Sequence, residues 1–458
     1  MNNATAIQKF RNSAVTRCLI KKHRKAFVSN IKSINSLQRV GYSVIVGGIF
    51  AVLSSPTFAV TKLNQTFTPY VGTSHAYDSN LLRASGNNTN PANGKTLKDS
   101  FINQIRAGLN VDWHLSRQQF IVNADVNQNW FTAFDELDYF GHDVLAQWNW
   151  VIGSRLKGEI GYRHDKSLAS FAQLNANTQG GVLDNLQTAQ LYFANAEYEI
   201  LPSIFLKSGF LRNDWNYGNG RENSNQIQNS GEFSVQYRNL SKTTIGFRAV
   251  ITDGKYPNRP DNDPSDNAFF RTSYYLDGEW RHSDKLRLDG WVGYVQQDYE
   301  HQNVARPPDK VNLDFSDVVA RLDINWLPSE KTTLVFSAWR AVDQAFTSNA
   351  TFVLSTGVRV RPMWLPTAKI RVEMPISYEN QSYLGGDPNN TGVGSGQNTN
   401  FQQVDDIVDV GLNLIYTPWL NTELSLNVKH EDRSSNADAA SNFTYDAQTV
   451  GINAKVEF

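Results

Sequence analysis

The chain has almost no cysteine. Cys18 is the one thiol among 458 residues, and it sits in a basic N-terminal arm. Beyond residue 59 there is none, which excludes disulfide staples, thiolate chemistry and cysteine metal sites from that part, and argues against a lipid anchor there. Long apolar runs are also missing. After residue 59 no stretch approaches the roughly 20 residues a membrane helix needs. Hydrophobic residues make up only 40% of the chain and mean hydropathy is −0.45, so a helical membrane protein is excluded. Enzyme patterns are absent as well: no GxSxG, no HExxH, no phosphate loop and no His/Cys metal spacing. No catalytic residue, metal, cofactor or nucleic-acid partner is expected.

Acid is what the N-terminus lacks. Residues 1–59 hold Lys9, Arg11, Arg17, Lys21, Lys22, Arg24, Lys25, Lys32 and Arg39 and no Asp or Glu. An apolar run from Val44 to Leu53 follows, then Ser54-Ser-Pro-Thr-Phe-Ala59 with small residues at Thr57 and Ala59. This is the anatomy of a secretory signal peptide with a long basic arm, and the run is too short for a membrane anchor. Residues 1–59 are therefore expected to be a leader and 60–458 the mature domain. The leader takes nine of the 43 cations and none of the 44 anions, leaving 34 against 44, a net charge of −10.

Aromatics, by contrast, are plentiful: 11 Trp, 18 Tyr and 25 Phe, set in segments that alternate with period two. Between Gln119 and Trp130, Phe120, Val122, Ala124, Val126 and Trp130 oppose Asn123, Asp125, Asn127 and Asn129. Val318–Trp326, Leu420–Lys429 and the last residues, Thr449–Phe458, behave alike. A strand sends successive side chains to opposite faces, so each segment has one oily and one wet face. Eighteen such strands are predicted, centred near residues 70, 108, 125, 148, 160, 195, 209, 235, 247, 276, 292, 320, 337, 356, 373, 411, 426 and 452; those near 70, 209 and 337 alternate poorly. Tight connections such as Leu201-Pro-Ser203, His282–Lys285, Leu327–Lys331 and Thr417–Asn421 alternate with longer polar loops. Trp113, Trp150, Trp280, Trp326, Trp364 and Trp419 recur beside the tight turns, as a membrane-interface girdle would. The expected fold is all-β: a transmembrane antiparallel β-barrel of about 18 strands, with short periplasmic turns and longer external loops. Its place is the outer membrane of a Gram-negative bacterium, surrounded by lipid. The aromatic Phe458 closing the final strand reads as the C-terminal assembly signal.

Extrapolated alternation turns many charges inward, and a charged interior must be hydrated or paired. Arg359, Arg361, Lys369 and Arg371 fall on one hairpin, with Arg321 near in strand order. Two readings stay open: a site for carboxylate- or sulfate-bearing sugars, which Arg forks fit, or lumen ion pairs with acids such as Glu373 and Asp323. Trp291, Phe193 and Tyr275 are predicted inward rings on which sugars stack. His430 faces lipid near the outer rim without a serine partner and reads as structural rather than catalytic. The acidic loop Asp253–Asp266 lacks EF-hand spacing and reads as solvated. The Gly/Asn-rich loop Gly385–Asn400 is read either as a pore constriction or as mobile.

The run Tyr77-Asp78-Ser79-Asn80-Leu81-Leu82-Arg83 resembles the Y-D-x-N-L-x-R stretch of outer-membrane porin families that include the EpsL-type exopolysaccharide-operon protein. With the closing Phe458, the resemblance spans the mature chain. It implies an outer-membrane barrel that lets a polysaccharide out, working with separate periplasmic and inner-membrane export proteins, and it brings no catalytic residues. The sequence expectation is thus an exopolysaccharide export pore. A general or substrate-specific porin for small solutes is the alternative; a closed-lumen adhesin and an outer-membrane hydrolase are more distant ones.

Overall fold

The computed structural model describes residues 66–85, 99–173, 185–218, 221–239, 243–260, 267–300, 314–344, 352–384, 403–436 and 444–458. The expected leader, the loop at 385–400 and the acid-rich 261–266 lie outside them. Strands dominate what is described. They are β1 Phe67–Asp78, β2 Ser100–Leu115, β3 Gln118–Phe131, β4 Tyr139–Ile152, β5 Leu156–Leu168 and β6 Leu186–Leu201. Next come β7 Ile204–Tyr217, β8 Gln226–Arg238, β9 Thr244–Lys255, β10 Ala268–Arg281, β11 Leu286–Tyr299, β12 Phe315–Ser329 and β13 Thr332–Gln344. The remainder are β14 Phe352–Thr367, β15 Ile370–Glu373, β16 Ile376–Leu384, β17 Val404–Trp419, β18 Thr422–Ser435 and β19 Tyr445–Glu457. No described helix is long and apolar enough to cross a membrane; the crossing is made by strands.

Apart from β15 and β16, every strand pairs antiparallel with its sequence neighbour, and β1 pairs with β19 from Tyr70↔Glu457 to Asp78↔Thr449. That seam closes the sheet, so no edge is left unpaired, which is the condition for a sheet to sit in lipid. β15 and β16 are one crossing. Both lie between β14 and β17, and the ladder breaks where Pro375 brings no N–H. The barrel therefore has eighteen crossings, one at each predicted position, the weakly alternating ones included.

Apolar side chains face out. Ile105, Phe247, Leu276 and Ile452 are each about half exposed, while their neighbours along the chain point inward. Five of the predicted girdle tryptophans are exposed beside the tight turns; Trp150 is half-buried, its indole lying over Gly158. The turns themselves are built alike. The ladder register shifts at Glu199/Leu201, Trp326/Ser329, Trp364/Thr367 and Tyr416/Trp419, each beside a proline (Pro202, Pro328, Pro366, Pro418). A missing donor is tolerated where a bulge already interrupts pairing. In three of them the residue before the proline donates to a lysine carbonyl of the adjacent turn: Leu327 to Lys285, Leu365 to Lys331, Thr417 to Lys369.

Burial is unequal along the axis. Near the tight turns the inward charges meet in ion pairs of mixed exposure: Lys157 and Arg371 are about half exposed, while their partners Glu197 and Glu373 are largely covered. Near the long loops the inward side chains are packed. Ile102 of β2 and Phe131 of β3 meet Leu81, Leu82, Phe134, Leu137 and Phe171 in one buried cluster. Tyr256, Phe269 and Tyr299 form a second over β9–β11.

Candidate functional site

Six neighbouring strands, β9 to β14, carry on their inner face a ribbon in which cations and rings take turns. Arg248 of β9 lies 4.3 Å over the Tyr275 ring of β10. Tyr275 meets Trp291 of β11 edge to face at 5.2 Å. Trp291 stands opposite Arg321 of β12 in the ladder, and Arg321 opposite Trp339 of β13. Arg359 of β14 lies 5.7 Å over Trp339. Each contact is set by register. The rings lie flat because a glycine faces them across the ladder: Gly293 beneath Tyr275 and Gly357 beneath Trp339. A Cβ at either glycine would come within 2.3 Å or 2.4 Å of the ring above it, so only glycine lets the wall stay thin there.

Most of these cations are balanced by acids. Arg248 pairs with Asp277 at 2.9 Å and approaches Glu232 at 3.6 Å. Arg321 forks onto Asp323 at 2.6 and 3.0 Å, and the Ser337 hydroxyl donates to the same carboxylate at 2.6 Å. Arg371 meets Glu373 at 3.0 Å. Arg359 is the exception: among the described residues it has no carboxylate within 4.0 Å, although Asp409 and Asp323, like Arg361 and Arg321, lie within longer electrostatic reach. The guanidinium lies over an indole face, a contact that leaves its in-plane donors unused by that ring.

Of the predicted patch, Arg321, Arg359 and Arg361 come together, and Trp291 joins them through Arg321. Arg371 points inward nearer the tight-turn end. Lys369 does not belong. It occupies the turn between β14 and β15, where its ammonium donates to the Pro418 carbonyl at 2.8 Å; Lys331 does the same to Pro366 at 3.3 Å. Alternation does not extend into a turn, so the inward placement of Lys369 is corrected to a strap between neighbouring turns. Phe193 points inward over Gly161, away from the ribbon. Trp339 was not among the predicted inward rings; its strand alternates weakly, and only its ladder position opposite Gly357 marks it.

The Tyr77–Arg83 run has a structural role at the exit of β1. Asp78 accepts from the Asn80 amide at 2.9 Å and from Arg83 at 2.9 and 3.0 Å. The Asn80 side chain donates to the Ala84 and Asp446 carbonyls at 3.0 Å and accepts from the Ala84 amide at 2.9 Å. This holds Arg83 at a φ of 53° and drives Leu81 and Leu82 into the buried cluster. On β18, buried Arg433 pairs with Asp405, donates to Tyr383 Oη at 2.7 Å and reaches the carbonyl of Ala172 beyond β5. At the mouth above β9, burial pushes the Tyr256 phenol up, and Arg259 covers its ring at 3.7 Å. His430 stands in register with Val410 and Gln448 on the lipid face. Among the described residues no three His, Cys, Asp or Glu side chains cluster as metal ligands.

An apolar outer face, a tryptophan girdle and a charged, hydrated inner wall in a closed antiparallel sheet define a bacterial outer-membrane β-barrel. Residues 211–458 match the family described as Putative beta-barrel porin 2; that is more than half the chain, and the chain belongs to that family. It is a porin-type protein of the Gram-negative outer membrane. No curated protein matches it. Solved structures similar to it include Acinetobacter baumannii OccAB3 (8% identity, TM-score 0.45, 86% of this chain and 99% of that one). Pseudomonas aeruginosa OccK2 (OpdF), solved in complex with glucuronate, is similar at 8% identity and TM-score 0.45, over 86% of this chain and 96% of that one. P. aeruginosa OpdK is similar at 13% identity and TM-score 0.43, over 86% and 99%.

Proposed function

We propose that the barrel is a passive pore for small solutes bearing a carboxylate or sulfate, and that the ribbon from Arg248 to Arg359 is the path they follow. The observation that carries this is Arg359, an inward guanidinium on an indole face with no acid against it. Within a protein of net charge −10 once the leader is gone, such a site attracts anions locally. The rings beside it suit the apolar faces of a sugar acid or an aromatic acid. The buried cluster at the mouth favours small cargo over a polymer.

Reversal potentials in planar bilayers test the reading. In a potassium chloride gradient, Arg359→Glu should shift permeability toward cations by about tenfold, and more at low salt than at high. Arg321→Gln should shift it less, because it frees Asp323 at the same time. Equal selectivity in Arg359→Glu and the parent would sink the proposal.

Export of an exopolysaccharide with separate periplasmic and inner-membrane proteins is a second reading. What favours it is the Tyr275–Trp291–Trp339 row of rings, which fits pyranose C–H faces, together with the resemblance at Tyr77–Arg83. A deletion strain that loses surface polysaccharide while keeping uptake of organic acids would establish it over the first.

A further inference from the structure

The lipid face of β3–β7 is not smooth. Between β3 and β7 a groove of about 540 Å³ runs over Ala146 and Ala194, walled by Trp148, Tyr162, Tyr192 and Phe210. The ladder explains it. Trp148, Ile160, Ala194 and Phe210 form one cross-strand row, and Ala146, Tyr162 and Tyr192 the next toward the long loops. Alanine between large rings leaves a trough. The following outward positions on β4 and β5 change character. His164 follows Tyr162 on the same face, and His142 stands opposite Lys166. The two imidazoles meet, His142 Nε2 and His164 Nδ1 being 3.3 Å apart. Lys166 has no ion-pair or hydrogen-bond partner among the described residues.

Strand length gives the level of this cluster. β4 has 14 residues and β5 has 13, whereas about 9–11 suffice to cross the hydrocarbon. The residues nearest the long loops therefore reach headgroup depth on the outer side. The acids of the same strands turn inward and are engaged there: Asp143 by Arg163 at 2.7 Å, Asp165 by Ser167 at 2.7 Å. The outward acid on the row of His164, Asp214 of β7, has Arg212 at 3.7 Å. An apolar trough thus opens at its outer end onto imidazole and ammonium donors.

We propose that this groove docks one phosphorylated glycolipid of the outer leaflet. An acyl chain lies over Ala146 and Ala194, and a phosphate meets His142, His164 and Lys166. Charge complementarity selects the occupant, since neutral lipid has no use for the cluster and a water-soluble phosphate none for the trough. The inference is independent of what the lumen carries.

The test uses the full mature barrel in detergent, with bis-phosphorylated lipid A as the probe and native mass spectrometry as the readout. One lipid A should remain bound per barrel, and phosphatidylglycerol at equal concentration should not displace it. Lys166→Glu combined with His142→Gln and His164→Gln, and separately Ala194→Trp, should each weaken retention by at least about tenfold. Heat-modifiable mobility and unchanged conductance would certify the variants as folded. Should either variant fail to fold, lipid A stripped of its phosphates carries the test on the unaltered protein and should bind about tenfold less well. Retention unaffected by the substitutions or by phosphate removal, or equal displacement by phosphatidylglycerol, would overturn the proposal.

Discussion

At the scale of single residues, the informative contrast is between Arg433, buried against an acid, and Arg359, which has none within ion-pair distance. Arg433 is almost wholly buried against Asp405 and tied to Ala172, so it holds the mouth together rather than serving the lumen. Removing one partner of a buried pair strands the other charge, at a cost of about 3–5 kcal/mol. Arg433→Ala should therefore lower the temperature at which the barrel loses heat-modifiable mobility, and should raise single-channel conductance as the Ala172 segment loses its tether. A barrel of unchanged thermal stability would show that the pair is not structural. Alternation alone placed Arg321, Arg359 and Arg361 on the inner face. It could not tell which arginine has an acid beside it, because that depends on partners one or two residues along the same strand or on the next one.

Elements were more legible than residues. A period-two pattern in a closed barrel carries its own register: one face must be oily, so a slip by one residue would put charges in lipid. That is why all eighteen crossings stand where the hydrophobic pattern puts them, even at β7 and β13. Two things stayed hidden. The interruption between β15 and β16 follows from Pro375, a residue whose effect on the ladder depends on whether its neighbour needed the donor. The pairing of rings with glycines depends on register between strands and not on any single strand. Gly357→Val tests that pairing. A side chain there collides with the Trp339 ring and the Tyr378 carbonyl, so the indole must leave the wall for the lumen. Single-channel conductance should fall while the barrel still assembles; conductance equal to the parent would mean that the ring accommodates the change without moving inward.

For the whole molecule, closure at β1–β19 is the event on which everything else depends. The last residues are held by backbone bonds on both sides: Glu457 donates to the Asn421 carbonyl and Phe458 to the Pro69 carbonyl, each at 2.8 Å. Deleting β19 leaves β1 and β18 with open ladders in hydrocarbon, where each unmet backbone group costs several kcal/mol. The truncated chain should not acquire heat-modifiable mobility or insert into bilayers. Loss of Phe458 alone should slow assembly without abolishing it, as followed by the rate at which the folded band appears. A truncated chain that inserts and conducts normally would contradict the closed-sheet account. The leader is expected to end at Ala59, so mass measurement of the protein from outer membranes should give a chain starting at Val60.

The uneven packing along the axis has an electrical consequence. Ions driven from the tight-turn side meet a wall of paired charges before the packed clusters at the mouth, whereas those driven the other way meet the clusters first. A conduit of that kind acts as a leaky diode. With all barrels inserted in one direction, opposite voltages of equal size should pass unequal currents, and the imbalance should shrink as concentrated electrolyte screens the wall charges.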